Sequence, residues 1–181
     1  NFKGKPWVFE EDRIDLNDIG CNDVISSVKI SKSEVKNLVK NPSFELATQE
    51  QLKHWVSRSS QLYKRFLDNT AKGYYAMQYK GNGNAKAITQ NVELTPNTNY
   101  ELSVKLKVDF GTKGKVIFDT NGSFDETCKF ELDSNTKADK WVEFKGVFNS
   151  GNMSKIELRC LISDDFNGTA YWDDVVLKMK S

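Results

Sequence analysis

The chain has 181 residues, 38% of them hydrophobic and 28% charged, with 26 basic against 25 acidic side chains and a formal net charge of +1. That length supports one well-buried core, or one core plus a small appendage. So even a charge balance creates no long-range field to gather nucleic acid or an anionic membrane, and no stretch approaches the ~20 apolar residues of a spanning helix, so nucleic-acid binding and membrane insertion are not expected.

The N-terminus, Asn1-Phe2-Lys3-Gly4, has no basic n-region, no apolar h-region and no initiator Met, so the sequence reads as a fragment or mature product of something longer. The first thirty residues are too few to bury a core alone. A short polar stretch, residues 31–36, follows as a junction, dividing the chain into residues 1–31, a linker at 32–36 and a main module at 37–181. From there helical periodicity is nearly absent. Short runs rich in Val, Ile, Phe and Tyr recur between Asn, Asp, Gly, Pro and Thr every 8–12 residues or so, the rhythm of an antiparallel sandwich. The predicted strands are 37–46, 62–67, 74–80, 87–94, 100–108, 115–119, 127–132, 141–148, 155–161 and 169–179.

The clearest strand is 100–108. Leu102, Val104, Leu106 and Val108 alternate with Ser103, Lys105 and Lys107, so one side meets a core and the other meets water. In 155–161, Ile156, Leu158 and Cys160 alternate with Glu157 and Arg159 in the same way. Pro96 fixes φ in the turn 95–99, and the Gly- and Asn-rich stretches 81–84 and 121–122 tolerate positive φ. About ten strands with turns this tight fit an all-β fold, a two-sheet antiparallel jelly-roll sandwich with a small N-terminal β piece. Cys21, Cys128 and Cys160 form no C-x-x-C and have no His nearby, so zinc is not expected. Cys128 and Cys160 read most simply as small buried hydrophobes, or as a disulfide if their strands are neighbours.

Four stretches in order carry a family resemblance. They are Asn37-Leu38-Val39-Lys40-Asn41-Pro42-Ser43-Phe44-Glu45 followed by Trp55; residues 88–94 with Pro96, Thr98, Tyr100, Leu102 and Ser103; Trp141, Phe144 and Phe148; and Gly168-Thr169-Ala170-Tyr171-Trp172-Asp173-Asp174-Val175 with Leu177. Together they resemble the jelly-roll carbohydrate-binding modules of the family 4, 9 and 22 type, which are galactose-binding-like sandwiches. The front segment, Phe2-Lys3-Gly4-Lys5 through Trp7-Val8-Phe9 and then Asn22-Asp23-Val24-Ile25-Ser26-Ser27, resembles the latter part of one βγ-crystallin Greek-key motif. A full domain of that family has two such motifs, and here even one lacks its first strand.

The resemblance implies structural calcium. In the sandwich, Glu45 and Asp173 stand where similar modules tie the first and last strands through the ion, with Asp68 or the backbone near Lys72 as further donors. In the front segment Asn22, Asp23 and Ser26 match the calcium pattern. Calcium takes six to eight hard oxygens, and a clip closing so long a loop stabilises strongly. The plainer alternatives are solvated edge charges and an Asx-type turn.

Sugar recognition needs flat aromatic faces against C–H surfaces and planar polar groups for vicinal hydroxyls. Aromatic content is 12%. Candidate contacts are the outward polar residues Gln78, Lys105, Glu157 and Arg159, with Tyr63, Tyr79 and Phe124 as the aromatics least needed by the core. Trp55, Trp141, Phe144 and Trp172 read as packing residues. His54 is the only histidine, and no G-x-S-x-G, H-E-x-x-H or P-loop occurs, so no enzyme is expected. The expected function is glycan binding by a non-catalytic accessory module that targets a secreted multidomain protein to polysaccharide or glycoprotein glycans; Lys outnumbers Arg by 22 to 4, a bias associated with AT-rich bacterial genomes. The alternative is a calcium-stabilised structural or protein-interaction module of a cell-surface protein or toxin, with no sugar site.

Overall fold

The computed structural model describes residues 35–46, 53–57, 62–68, 73–83, 87–120 and 128–180. The front segment with Asn22, Asp23 and Ser26, and also Cys21, Lys72 and Phe124, lie outside the described residues. The strands are β1 (Val56–Ser57), β2 (Tyr63–Leu67), β3 (Tyr75–Asn82), β4 (Ile88–Glu93), β5 (Asn99–Val108), β6 (Lys115–Thr120), β7 (Phe130–Asp133), β8 (Val142–Asn149), β9 (Lys155–Ile162) and β10 (Asn167–Met179). They form two five-stranded sheets, ordered β1-β4-β9-β6-β7 and β2-β3-β10-β5-β8, and every pairing is antiparallel. The jelly-roll sandwich expected from the alternating runs is the fold observed.

Alternation dictates the packing. On β5, Tyr100, Leu102, Val104, Leu106 and Val108 are fully buried, and on β9 Ile156, Leu158 and Cys160 face them from the other sheet. Each such aliphatic side chain contributes ~1.5–3 kcal/mol on burial. Trp172 of β10 joins the layers with a polar contact as well, its indole Nε1 donating to the Ile117 carbonyl of β6 at 2.8 Å. Cys128 and Cys160 are both buried, with no disulfide between them. Cys128 precedes β7, Cys160 lies on β9, and β6 runs between those two strands, so the disulfide alternative falls away.

The expected first strand does not form. Residues 37–46 carry positive φ at Asn41 (50°) and Phe44 (56°), which breaks an extended ladder. Two isolated main-chain bonds, from the Leu38 amide to the Leu177 carbonyl at 2.8 Å and from the Val175 amide to the Pro42 carbonyl at 2.9 Å, are supplemented by side-chain amides. Asn37 donates from Nδ2 to the Val175 carbonyl at 3.0 Å and accepts from the Leu177 amide at 3.0 Å. Gln90 of β4 brackets Lys40, accepting from its amide at 2.7 Å and donating to its carbonyl at 2.8 Å. The segment is thereby sewn to β10 on one side and β4 on the other. Phe44 and Trp55 then pack together at 5.1 Å, with the Trp55 indole donating to the Asn41 carbonyl.

A one-turn helix, α1 (Ser134–Lys137), follows β7. Asp133 caps it, accepting from the Thr136 amide at 2.9 Å, the usual way of satisfying a helix's first free donors.

Candidate functional site

Three surfaces bear chemistry. The first is the outward face of β1-β4-β9-β6-β7. Arg159 of β9 lies directly between Thr89 of β4 and Asp119 of β6. Its guanidinium meets Asp119 in a two-point fork, Nε to Oδ1 at 2.6 Å and NH2 to Oδ2 at 2.8 Å, a geometry that holds both planes fixed. This partner raises the Arg159 pKa, chiefly through that hydrogen bond. Next along the strands, Glu157 sits opposite Asn91. Together with His54 and Val56, Thr89, Asn91, Glu157 and Arg159 line an open depression of about 690 Å³. The hollow therefore offers a hydroxyl, a planar amide, a carboxylate and a guanidinium on adjacent strands, with their directions set by the sheet.

The second surface is the outward face of β2-β3-β10-β5-β8, centred on Tyr171. Gln78 of β3 and Lys107 of β5 flank it in register. Gln78 Nε2 donates to the Tyr171 hydroxyl at 3.2 Å, and that hydroxyl donates to Asp109 at 3.1 Å. Burial first, and the Asp109 carboxylate next among the raising influences, push the Tyr171 phenol up to about 12, so it stays a donor. The Lys107 ammonium pairs with Asp68 and lies over the rings of Tyr171 at 4.4 Å and Trp141 at 5.0 Å. Lys105 pairs with Asp174 at 2.8 Å. Here the polar groups are spent on one another.

The third is the junction of Glu45 and Asp173. Glu45 Oε1 accepts from the amides of Tyr74 at 2.9 Å and Tyr75 at 3.0 Å, and its charge helps to raise the Asp173 pKa. Asp173 is fully buried; one oxygen accepts from the Asp174 amide, while Oδ2 has no partner. Burial, foremost, pushes this carboxyl up to about 7. An orphaned buried carboxylate oxygen within electrostatic reach of a second carboxylate is what a hard cation would complete, so the donors fit calcium. Among the described residues no three acidic, His or Cys side chains converge, so main-chain carbonyls would supply the remainder. Asp68, expected to join them, is buried and pairs with Lys107.

The sugar-contact residues expected from the sequence are thus dealt to different places. Glu157 and Arg159 share the first face. Gln78 and Lys105 lie on the second. Tyr63 and Tyr79, read as aromatics the core could spare, are 4% and 0% exposed and pack on each other at 5.1 Å inside the sandwich. Their strands turn the odd positions 63, 77 and 79 inward, a parity that one polar-flanked tyrosine does not reveal. Trp141, read as packing, is half-buried on the second face, edge-on to Tyr171 at 6.3 Å. Asp119 and Asn91 were missed because only strand register sets them beside Arg159 and Glu157.

Residues 36–163 match the family model described as carbohydrate binding domain, of the 4/9 type. The chain belongs to this family. No curated protein matches this carbohydrate-binding domain by sequence. Among solved structures it is similar to TmCBM61, solved in complex with β-1,4-galactotriose, with a TM-score of 0.61 and 17% identity over 80% of this chain and 99% of that one. It is also similar to the CBM22-1 xylan-binding domain of Paenibacillus barcinonensis Xyn10C, with a TM-score of 0.57 and 16% identity over 82% and 97%. A cyclase from Fischerella sp. TAU shares the fold at a TM-score of 0.60 and 12% identity over 81% and 98%. The same sandwich therefore serves both binding modules and an enzyme.

Proposed function

We propose that this carbohydrate-binding domain is a non-catalytic tether of a secreted multidomain protein, gripping one glycan chain across β4, β9 and β6. The supporting observation is the open depression in which Arg159, Glu157, Asn91 and Thr89 stand on adjacent strands. Planar groups fixed by a sheet suit the vicinal hydroxyls of a pyranose ring. Asp119 balances the Arg159 charge, which favours uncharged sugars such as the β-1,4-galactotriose and xylan named for the similar structures. With few rings to bury, the dissociation constant should fall between about micromolar and millimolar. Such a contact raises the local concentration of whatever is joined to the domain. Arg159→Ala should cut retention on soluble β-1,4-galactan or xylan in affinity gels by about tenfold or more, with an unchanged melting curve. Equal retention of variant and wild type on every glycan bound would refute this face as the site.

Glu45 and Asp173 would hold a structural calcium, with the orphaned Asp173 oxygen supporting that assignment. Bound there, the ion would supply countercharge and a tie between the segment at 37–46 and β10. Residues 1–31 are proposed as a separate small module in which Asn22, Asp23 and Ser26 take a second calcium.

A further inference from the structure

Three aromatic rings lie in a row across the second sheet. Phe66 of β2 approaches Tyr171 of β10 at 5.5 Å from one side, and Trp141, just before β8, approaches it at 6.3 Å from the other. No sequence window displays this row, because its members come from strands at the two edges and the centre of the sheet. Tyr171 is buried, whereas Phe66 is 38% exposed and Trp141 half-buried. Phe110, 83% exposed, follows β5 and is tied to the approach to β8, its amide bound to Asp139, two residues before Trp141.

We propose that this face is a second carbohydrate-contact surface, on which Phe66, Trp141 and Phe110 stack against the C–H side of an extended, uncharged polysaccharide chain. The inference rests on the domain's family and not on the assignment of the first face. Three features carry it. Large rings left in water are costly to keep without use, and here they gather on one side of one sheet. The floor beneath them is rigid, since Lys107 sits between Trp141 and Tyr171 and is pinned by Asp68, so little ordering is needed on binding. Both lysines of that floor are paired within it, Lys107 with Asp68 and Lys105 with Asp174, and the Asp109 carboxylate accepts from Tyr171. The polar groups thus already bond one another, leaving ring faces as the means of recognition. A flat chain at the surface of an insoluble polysaccharide offers the matching C–H face, while a short soluble oligosaccharide would find few hydrogen bonds.

The test compares wild type, Phe110→Ala, the double variant Phe66→Ala/Trp141→Ala and Arg159→Ala for adsorption to microcrystalline cellulose and insoluble xylan, beside retention on soluble galactan and xylan. The double variant should lose insoluble-polymer adsorption by about tenfold and keep soluble-glycan retention. Phe110→Ala removes a ring that packs against nothing in the core, so it should weaken adsorption with an unchanged melting temperature even where the double variant unfolds. Arg159→Ala should do the reverse, so failure of that variant speaks only to the first face. Wild-type protein that adsorbs to neither polymer, or a Phe110→Ala protein adsorbing as wild type does, would overturn the proposal. Sedimentation showing self-association abolished by Phe110→Ala would overturn it too, assigning the rings to a second copy of the chain.

Discussion

Asp173 has a buried oxygen with no partner, and the folded chain can settle it with a proton or with a cation. Its carboxyl is raised to about 7, against the ordinary value near 4. Between those values the metal-free folded form holds a proton that the unfolded form has released, so stability falls as pH rises through that window and the loss is complete above about 7. Calcium would supply the missing countercharge only where the carboxyl is ionised. Chelation should therefore lower the melting temperature at pH 8 by several degrees, at roughly 2–4 °C per kcal/mol, and barely change it at pH 5. Identical EDTA effects at both values would remove Asp173 as the ligand. Gly73 supports the same corner, because a Cβ there would overlap the Glu45 carboxylate that grips the two amides beyond it. Gly73→Ala should cost about 1–3 kcal/mol through the displaced hydrogen bonds, read by denaturant unfolding. The sequence announced both carboxylates through the family motif. It was silent on Gly73, whose constraint is a distance between segments and not a pattern.

Elements were most legible where alternation was cleanest. Strands β5, β9 and β10 fall where periodicity put them, whereas Gly81 and Asn82, read as a turn, extend β3. Residues 37–46 show the limit of that method. Their apolar residues promised a strand, but only two main-chain bonds reach β10 and side-chain amides of Asn37, Asn41 and Gln90 supply the rest, and composition cannot tell a strand from a strap sewn down by amides. Asn37 is the main stitch, joining its side chain to Val175 and Leu177. Asn37→Ala should destabilise by about 1–3 kcal/mol, since two buried-side partners of β10 lose their bonds. Asn37→Asp should recover only part of it, as a carboxylate still accepts from Leu177 but cannot donate to Val175. Equal stability of the wild type and both variants would show that the stitch is incidental. The capped turn α1 escaped notice because four residues leave no period to detect, although the Asp133–Thr136 spacing of its cap was available to read.

For the whole molecule, family motifs pointed to carbohydrate, and the family model matching residues 36–163 agrees. What the sequence could not show was how residues are shared between faces. Glu157 and Gln78 were grouped as one site because both point outward, yet outward has two meanings in a sandwich, and only sheet membership separates them. The buried thiols make a further whole-molecule prediction. Burial raises the Cys160 thiol well above its ordinary pKa, and β6 keeps it from Cys128, so reductant should leave the melting curve of the domain unmoved; a marked drop with dithiothreitol would contradict the strand order. The stitching of Leu38 to Leu177, amide to carbonyl at 2.8 Å, has a mechanical consequence. Entry and exit of the domain share one corner, so tension drawn through a longer polypeptide would load that single seam in peeling geometry.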